Sequence, residues 1–288
     1  MNDKKVCVIG GDLRQIYAAH EMYKNNIDIS VFGLECSPSD FVESSSLNEA
    51  IENADTILLP LPFSTDGIRI CCPLSEKDIK LDDLLKKLKK DQQIVGGKFN
   101  KKFTQKAKEQ GINLYDYYSS ERLTTLNALT TAEAAVSLAM NEIRTTIHGT
   151  KCAVFGFGRI GKTLSKILHS LGSDVSVYAR SSDALTWAEI YGYKAININE
   201  TEQHISENKV IFNTIPKLVI TDKILDKIDE NSLIIDLASY PGGVDFSYAK
   251  QTQKKVIFAL SLPGKYAPET SGKIIADTVL SYLRGDSI

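Results

Sequence analysis

Residues 151–182 decide the fold of this chain, and they read KCAVFGFGRIGKTLSKILHSLGSDVSVYARSS. Apolar residues from 152 to 155 predict a strand, a helical pattern follows up to Leu171, and residues 175–178 predict a second strand. Gly172 stands where the helix must end. A strand, a glycine-rich turn, a helix and a second strand in this order predict a βαβ unit that binds a dinucleotide.

The three glycines of this turn each have a physical role. Gly156 permits the tight turn, Gly158 lets a pyrophosphate approach the backbone, and Gly161 allows close packing of helix against strand. The N-terminus of the helix, with its free N–H groups and positive dipole end, favours an anion. The predicted site residues here are Gly156, Phe157, Gly158, Arg159, Ile160 and Gly161. The alternative is a glycine-rich turn that binds no ligand.

The end of the second strand indicates which dinucleotide binds. An NAD site usually has a carboxylate there for the ribose 2′-hydroxyl, but this chain has Ala179, Arg180, Ser181 and Ser182. Arg180 offers two parallel donors to a phosphate, and the serines offer hydroxyls. We therefore predict that these four residues bind NADP. The alternative is that Arg180 is an ordinary solvated arginine.

Composition predicts a soluble protein with small-molecule ligands. The 288 residues are 43% hydrophobic and 24% charged, and the formal charge of -2 gives no basic bias toward nucleic acid or a membrane. Five cysteines show no zinc-ligand spacing, so we expect reduced thiols and no metal site. Residues 1–5 lead straight into a predicted strand rather than a signal peptide, which predicts a cytoplasmic protein.

The first part of the chain repeats the strand, loop and helix pattern. Gly10 and Gly11 follow a predicted strand at 5–9 and open a helix, so the start of this helix is a candidate to bind a carboxylate. The alternative is that the two glycines simply make a turn. Arg14 in the first turn is a candidate carboxylate clamp or a surface arginine. Further candidate substrate contacts follow later predicted strands, at Ser64, Thr65 and Gly97, because ligands bind outside the carboxyl ends of parallel strands.

The fold class predicted is α/β, with two doubly wound parallel-sheet domains and a cleft between them. Residues 1–126 form a substrate-side, flavodoxin-like domain onto which a C-terminal helix at 268–288 packs. Residues 127–147 form an interdomain helix, and residues 148–267 form a Rossmann domain that binds the dinucleotide.

The alanine-rich interdomain helix allows two interpretations. Thr130 and Glu133 have the spacing of a capping box, which is a structural role. A helix that enters the cleft would instead bring Asn127, Thr131 and Glu133 to the substrate or the nicotinamide. The sequence is compatible with both interpretations.

Loops at the carboxyl ends of the later predicted strands are expected to contact the ribose and nicotinamide. These cofactor-site candidates are Asn213, Thr214, Ile215, Pro216, Asp236, Leu237, Ala238, Pro263 and Gly264.

The two-domain layout is similar to that of 2-hydroxyacid dehydrogenases, which use a histidine in the last loop as acid and base. The predicted loop from Leu262 to Gly272 has no histidine. The four histidines of the chain are predicted on helices, on the surface or just before the central strand. Reduction of a lactate-type carbonyl is therefore disfavoured.

Several motifs together resemble the family of the dipicolinate synthase A subunit across essentially the whole chain. They are Gly10-Gly11-Asp12 with Arg14-Gln15, Asn213-Thr214-Ile215-Pro216, Asp236-Leu237-Ala238-Ser239-x-Pro241-Gly242-Gly243-x-Asp245-Phe246, and Leu262-Pro263-Gly264-x-x-Ala267-Pro268. The resemblance implies an NADP-linked enzyme of late sporulation in the mother-cell cytoplasm. It would form pyridine-2,6-dicarboxylate from the dihydrodipicolinate-pathway intermediate together with the flavoprotein-like B subunit of dipicolinate synthase.

Formation of an aromatic pyridine from a partly reduced ring requires loss of a hydride and a ring proton. NADP+ would take the hydride. Glu133 is the candidate base, because a carboxylate in a closed cleft is poorly solvated and holds a proton more readily. We also expect a homo-oligomer. Two alternatives are a non-catalytic NADP-binding regulatory or scaffold subunit, and a different NADP-dependent dehydrogenase of small acids.

Overall fold

The computed structural model describes residues 4–35 and 41–286, so Cys36 lies outside the described residues. The chain divides into two compact units. The first unit comprises the residues up to Leu126 and those from Ala267 onward, and the second comprises Asn127–Tyr266.

The strands of the first unit are β1 (Lys5–Ile9), β2 (Asp28–Phe32), β3 (Val42–Glu43), β4 (Thr56–Leu58), β5 (Gln93–Gly96) and β6 (Asn113–Asp116). Those of the second unit are β7 (Lys151–Phe155), β8 (Asp174–Ala179), β9 (Lys194–Asn197), β10 (Val210–Asn213), β11 (Leu233–Asp236) and β12 (Lys255–Phe258). Every pairing between these strands is parallel.

The helices are α1 (Leu13–Lys24), α2 (Leu47–Glu52), α3 (Leu81–Lys87), α4 (Lys101–Glu109), α5 (Glu121–Glu142), α6 (Arg159–Ser170), α7 (Ser182–Ile190), α8 (Thr201–His204), α9 (Asp222–Lys227), α10 (Phe246–Gln251), α11 (Leu262–Tyr266) and α12 (Pro268–Arg284). Short 3₁₀ helices lie at Tyr117–Ser119, Ile198–Glu200 and Ile205–Glu207. Among the described residues, none of these helices combines the length and apolar character that a membrane span requires.

The two sheets have the same topology. The strand order is β3-β2-β1-β4-β5-β6 in the first unit and β12-β11-β10-β7-β8-β9 in the second. In both sheets the order reverses beside the first strand of the unit, between β1 and β4 and between β7 and β10. Such a switch point leaves a crevice at the carboxyl ends of the strands, which is where open α/β sheets bind ligands.

The flavodoxin-like order predicted for the first unit is present in five of its strands, β2-β1-β4-β5-β6. The two-residue β3 extends this sheet beyond β2 and turns the order into that of a six-stranded Rossmann sheet. A strand of two residues shows no periodicity in the sequence, so it was not predicted.

Each sheet is covered on both faces because successive side chains of a strand point to opposite sides. In β1, Val6 and Val8 belong to one apolar cluster and Cys7 and Ile9 to another. In β7, Cys152 and Val154 likewise face one cluster, whereas Ala153 and Phe155 face the other. Two buried faces explain why these strands are continuously apolar.

The bounds predicted for the interdomain helix and the loop predicted at 262–272 were wrong. The interdomain helix was predicted at 127–147, but α5 begins at Glu121 and ends at Glu142. The Ser120 hydroxyl accepts a hydrogen bond from Leu123 N–H at 3.3 Å and so starts the helix earlier. The predicted loop from 262 to 272 is largely helical, because Pro263 and Pro268 lie in the first turns of α11 and α12, where proline is tolerated.

Candidate functional site

The turn after β7 has the geometry that its glycines predict. Gly156 has a φ of 91°, which favours glycine, and its N–H donates to Tyr178 O at 2.8 Å. A Cβ on Gly161 would overlap the carbonyl oxygen of Gly156, so the close helix–strand packing is confirmed. A Cβ on Gly158 would meet no atom within 4 Å. The space beside Gly158 is therefore open to a ligand.

The N-terminus of α6 has features that favour the binding of an anion. Its N-cap, Gly158, provides no side-chain cap, and no acidic residue lies in the first turn. Arg159 and Lys162, at the start of the helix, are exposed. The positive end of the helix dipole favours a bound anion. This fits the diphosphate of a dinucleotide.

Two predicted members of the turn have apolar side chains that face the protein. Phe157 is buried and meets the Tyr193 ring edge-on at 6.1 Å. Ile160 is half-buried against the same apolar cluster. In this conformation these residues offer a ligand mainly their backbone groups.

The residues that follow β8 are polar and exposed. Ala179 is buried at the end of the strand, and Arg180, Ser181 and Ser182 are exposed. Ser181 caps α7, because its hydroxyl accepts a hydrogen bond from Ala184 N–H at 3.3 Å. Within the described part of the chain, Arg180 has no ion pair or side-chain hydrogen bond to another residue. Its guanidinium is therefore available to a ligand.

The side chains of Asn213 and Asp236 are engaged within the protein, and the contact of their loops with the cofactor stays a prediction. Both residues are fully buried. The Asp236 carboxylate accepts hydrogen bonds from Asn213 Nδ2 at 2.8 Å, Ala238 N at 3.0 Å and Gly243 N at 2.7 Å. Asn213 Nδ2 also donates to Ile215 O, and Asn213 Oδ1 accepts a hydrogen bond from Ile215 N–H. The two side chains hold the loops after β10 and β11 together.

These loops lie beside the glycine turn. Thr214 Oγ1 donates to Phe155 O at 2.7 Å, and a Cβ on Gly156 would lie 2.5 Å from the Thr214 hydroxyl oxygen. Ile215 is half-buried and Pro216 is exposed, whereas Leu237 and Ala238 are buried. The structure therefore brings the ends of β7, β10 and β11 together at the switch point of the second sheet.

Pro263 and Gly264 lie further along the same unit, on α11. Pro263 is buried and Gly264 is half-buried. The preceding segment joins the sheet through Ala259 N, which donates to Asp236 O at 2.8 Å. The contact of Pro263 and Gly264 with the cofactor stays a prediction.

In the first unit, the N–H groups of Gly10 and Gly11 bond within the chain, which favours the simple turn over the binding of a carboxylate. Gly10 N–H donates to Phe32 O at 2.9 Å, and Gly11 N–H donates to Cys71 O at 2.8 Å. The segment at Cys71 and Cys72 covers this turn, since a Cβ on Gly10 would meet Cys71 O at 3.0 Å. Neither N–H group is left for a ligand.

Arg14 is buried rather than a surface arginine. Its Nε and Nη2 atoms donate to the Asp12 carboxylate at 2.9 and 2.8 Å, and Nη2 also donates to Leu61 O at 2.5 Å. Burial opposes the charge, but the Asp12 carboxylate more than offsets this and raises the pKa of Arg14 above its ordinary value. Arg14 thereby ties α1 to the loop after β4, and within the described residues its Nη1 atom has no hydrogen-bond partner.

The loops after β4 and β5 are hydrogen-bonded to each other. Gly97 is buried, its N–H donates to Pro60 O at 3.2 Å, and its carbonyl accepts from Phe63 N at 3.0 Å. The backbone groups of Gly97 are thus engaged, which argues against a direct ligand contact. The Ser64 hydroxyl accepts from Gly67 N at 2.9 Å and lies 3.1 Å from Asp66 Oδ1. Thr65 is exposed.

On α5, the capping-box interpretation was wrong. Thr130 lies inside the helix, and its hydroxyl donates to Asn127 O at 3.0 Å. Thr131 is buried and its hydroxyl donates to the same oxygen at 2.7 Å. Asn127 is half-buried and Glu133 is exposed.

The described cysteines Cys7, Cys71, Cys72 and Cys152 are free thiols. Burial raises the pKa of Cys72 to about 11 and also raises the pKa of Cys71. The vicinal pair is therefore protonated at neutral pH and poorly nucleophilic. No cluster of three or more metal-ligating side chains occurs among the residues that the structure describes.

Two polar residues of the first unit were not proposed as site residues from the sequence. Lys98 is an exposed cation with a φ of 69°. Gln15 is fully buried and both atoms of its amide lack a hydrogen-bond partner among the described residues. The Gly96-Gly97-Lys98 sequence was a signal for the first, but local sequence holds no signal for the second.

Residues 5–118 match the family model for the N-terminal domain of the A subunit of dipicolinate synthase. The dipicolinate synthase A subunit of Bacillus subtilis (strain 168) is 31% identical over 283 residues, which are 97% of this chain and 95% of that protein. The chain belongs to the family of the dipicolinate synthase A subunit. The resemblance inferred from the motifs is confirmed.

Solved structures agree with this family. The A subunit of dipicolinate synthase from Bacillus halodurans has a TM-score of 0.88 and 30% identity, with 98% of each chain covered. The A chain of dipicolinate synthase from Bacillus subtilis has a TM-score of 0.86 and 31% identity, with 99% of this chain and 97% of that chain covered. The predicted α/β class with two parallel-sheet domains is confirmed.

Residues 116–238 match the family model described as D-isomer specific 2-hydroxyacid dehydrogenase, NAD binding domain. The second unit is therefore a dinucleotide-binding domain of the dehydrogenase type. This supports a nicotinamide dinucleotide as the cofactor and an oxidoreductase function. The name of the family, which designates an A subunit, implies a partner subunit in a complex.

Proposed function

We propose that this chain is the NADP-linked dehydrogenase subunit that forms pyridine-2,6-dicarboxylate from the dihydrodipicolinate-pathway intermediate during sporulation. The observation that carries the proposal is the whole-chain match, 31% identity over 97% of the chain, to the A subunit of dipicolinate synthase. The flavoprotein-like B subunit of dipicolinate synthase is its proposed partner. We also propose that it acts in the cytoplasm as a homo-oligomer.

We assign the substrate and the cofactor to different domains. Residues 1–126, with the C-terminal helix at 268–288, form the proposed substrate-side domain. Residues 148–267 form the cofactor domain, and 127–147 link the two. The glycine turn and the basic start of α6 support dinucleotide binding in the second domain.

NADP is the proposed dinucleotide because of the groups that follow β8. Arg180 is exposed, and no carboxylate lies between Ala179 and Ser182 to bind a 2′-hydroxyl or repel a phosphate. A guanidinium binds a phosphate through two charge-assisted hydrogen bonds. Ser182 adds an exposed hydroxyl.

When bound, the oxidised nicotinamide accepts a hydride from the partly reduced ring. A ring proton must leave as well. Loss of the hydride and the proton is favourable because the product is aromatic. Glu133 is the proposed acceptor of that proton, since it is an exposed carboxylate on α5. Replacement by glutamine should lower kcat at least about tenfold with unchanged cofactor affinity. An unchanged kcat would remove Glu133 from this role.

A dicarboxylate substrate needs positive charge and hydrogen-bond donors. In the first domain, we propose Arg14 Nη1 and the Thr65 hydroxyl for one carboxylate, since the other predicted donors are engaged within the chain. Asn127 is the remaining candidate on α5. Charge-assisted hydrogen bonds to carboxylates are roughly twice as strong as neutral ones.

The assay of this function mixes the purified chain, the partner B subunit, NADP+ and the pathway intermediate. We expect pyridine-2,6-dicarboxylate to form only when NADP+ is present. Absence of the product with both subunits present would overturn the proposal.

The cofactor assignment has its own test. Arg180→Ala should weaken NADP+ binding about tenfold or more, the loss expected for a charged hydrogen-bonded pair, and leave NAD+ binding unchanged. Arg144→Ala, which changes another exposed arginine of the second unit, is the matched control. An unchanged preference for NADP+ in Arg180→Ala would remove Arg180 from the specificity.

A further inference from the structure

Lys98 has a backbone conformation that its residue type does not favour. Four non-glycine residues in the described part of the chain have a positive φ, namely Asn26, Lys98, Gln253 and Ser261. Asn26 and Gln253 come just after α1 and α10, where a left-handed residue commonly ends a helix. Lys98 instead follows β5, at the carboxyl edge of the first sheet, with a φ of 69°.

The surrounding loop holds this conformation firmly. The Asp116 carboxylate accepts hydrogen bonds from Lys98 N at 2.9 Å, Phe99 N at 3.0 Å and Tyr118 N at 2.9 Å. On the other side, a Cβ on Gly97 would lie 2.7 Å from both Leu61 Cδ1 and Tyr117 Cε2. The loop cannot relax without breaking these contacts, so the side chain at 98 leaves the backbone in a fixed direction.

A glycine at this position would adopt the same φ without strain, and glycines already occupy the two preceding positions. The lysine side chain is thus present at an energetic cost. Held strain of this kind is typical of residues whose side chain is used in binding or catalysis.

The charge of Lys98 is uncompensated within the described chain. The side chain is exposed, and its Nζ lies 5.7 Å from the centre of the Tyr118 ring, near the outer limit of a cation–π contact. No carboxylate of the described residues pairs with it. Arg14, by contrast, forms an ion pair with the Asp12 carboxylate through its Nε and Nη2 atoms. Lys98 is therefore a free cation on the edge of the sheet where ligands bind.

We propose that the Lys98 ammonium binds the second carboxylate of the substrate and so selects dicarboxylates over monocarboxylates. This rests on the proposed function, which requires a dicarboxylate. Lys98 is a specificity residue, since it contacts the substrate away from the bonds that change.

The test measures the dissociation constants of pyridine-2,6-dicarboxylate and pyridine-2-carboxylate on the full chain by calorimetry. The wild type should prefer the dicarboxylate by about tenfold or more, as expected for one charged hydrogen-bonded contact. Lys98→Gln should abolish the preference, and Lys98→Arg should keep most of it. Equal affinities in the wild type, or an unchanged ratio in Lys98→Gln, would overturn the proposal.

Two further variants separate binding from folding. Lys98→Gly removes the strain, so it should keep or raise the unfolding temperature while it loses the preference. A destabilised Lys98→Gly that keeps the preference would mean that the lysine is structural and would overturn the proposal. Lys90→Gln is the matched control, because Lys90 is exposed and precedes the amino end of the same strand. It should leave the ratio unchanged.

The affinity ratio and the activity assay test the two proposals separately. A wild type that forms pyridine-2,6-dicarboxylate, with a ratio that Lys98→Gln does not change, would overturn the subsite alone. A Lys98-dependent ratio in a chain that forms no product with the partner B subunit would overturn the proposed function and support the dicarboxylate site.

Discussion

Gly158 and Gly161, three positions apart in one turn, differ in what an added methyl group would meet. At Gly161 the methyl would overlap the backbone carbonyl of Gly156, and backbone atoms cannot move aside cheaply. At Gly158 it would enter open space at a φ of -80°, which alanine adopts readily.

We therefore expect Gly161→Ala to lower the unfolding temperature of the chain. Gly158→Ala should leave the unfolding temperature within a few degrees of the wild type and weaken dinucleotide binding about tenfold, because the methyl occupies the space of the diphosphate. Thermal unfolding and NADP+ titration of both variants check this. Unimpaired NADP+ binding by Gly158→Ala would contradict the proposed position of the diphosphate.

The buried hydrogen bonds of Asp236 are expected to stabilise the fold. In Asp236→Asn, an amide NH₂ would face Gly243 N–H, which now donates to Asp236 Oδ2 at 2.7 Å. A buried donor would be left without an acceptor, so the free energy of unfolding should fall by about 1–3 kcal/mol. Urea unfolding measures this, with the exposed Glu230→Gln as control. Wild-type stability of Asp236→Asn would show that the network is dispensable.

At the residue scale, the sequence predicts roles that depend on neighbours in the chain. The roles of Gly156 and Gly161 follow from a strand, a turn and a helix that are contiguous. The sequence misleads at Gly11 and Arg14, because their partners, Cys71 O and Leu61 O, come from distant loops. The sequence also misleads at Asp236. Its carboxylate accepts hydrogen bonds from Asn213 and Gly243, and no local sequence pattern predicts these donors.

At the scale of elements, the pair α1 and α12 shows how the end of the chain joins the first unit. A Cβ on Gly272 would lie 2.5 Å from Tyr17 Cβ and 2.6 Å from Arg14 O. The two helices are thus in close backbone contact, which only a glycine permits. The predicted packing of the C-terminal helix on the first unit agrees with this contact.

Gly272→Ala tests the contact. Alanine favours a helix by about 1 kcal/mol over glycine, but overpacking against backbone costs about 1–3 kcal/mol, so we expect net destabilisation. Thr270→Ala, exposed on the same helix, should have little effect. Calorimetric unfolding of the two variants gives the comparison. A Gly272→Ala variant as stable as Thr270→Ala would contradict the close packing.

The long elements could be predicted because they show a clear period, and the main strands and α6 agree with the structure within one or two residues. The short elements could not. β3 has two residues, and α11 has a proline in its first turn, which resembles a loop signal. The start of α5 was missed because Thr124 and Thr125 are poor helix formers, although Ser120 caps the helix before them.

At the scale of the whole molecule, several buried weak acids predict alkaline lability. Burial raises the pKa of Cys7 to about 12, of Cys152 to about 11 and of Tyr178 to about 12. The folded chain keeps these protons while an unfolded chain releases them from their ordinary values, 9.0 for cysteine and 10.0 for tyrosine. Their contribution to stability is thus complete below about pH 9 and is lost as the pH rises toward about 12.

We expect the free energy of unfolding, measured in urea, to fall steadily from about pH 9 to about pH 11. Cys152→Ala should reduce the slope, because it removes one of the buried acids. A stability that does not change over this range would contradict the burial of these groups.

The two units share a topology but differ at the turn after their first strand. In the second unit, the turn is open beside Gly158 and basic at the start of α6. In the first unit, the corresponding N–H groups are engaged by Phe32 O and Cys71 O. Within the described ranges, only the second unit therefore has the features of a dinucleotide site, which is consistent with the proposed substrate-side role of the first.

We propose that this chain itself oxidises the ring. The most direct measurement is a single-turnover reaction of the isolated chain with NADP+ and the pathway intermediate, in which NADPH and pyridine-2,6-dicarboxylate are quantified together. We predict one NADPH for each pyridine-2,6-dicarboxylate formed. A chain that binds NADP+ but forms no NADPH, while its mixture with the partner B subunit forms the product, would have only a binding role and would contradict the claim.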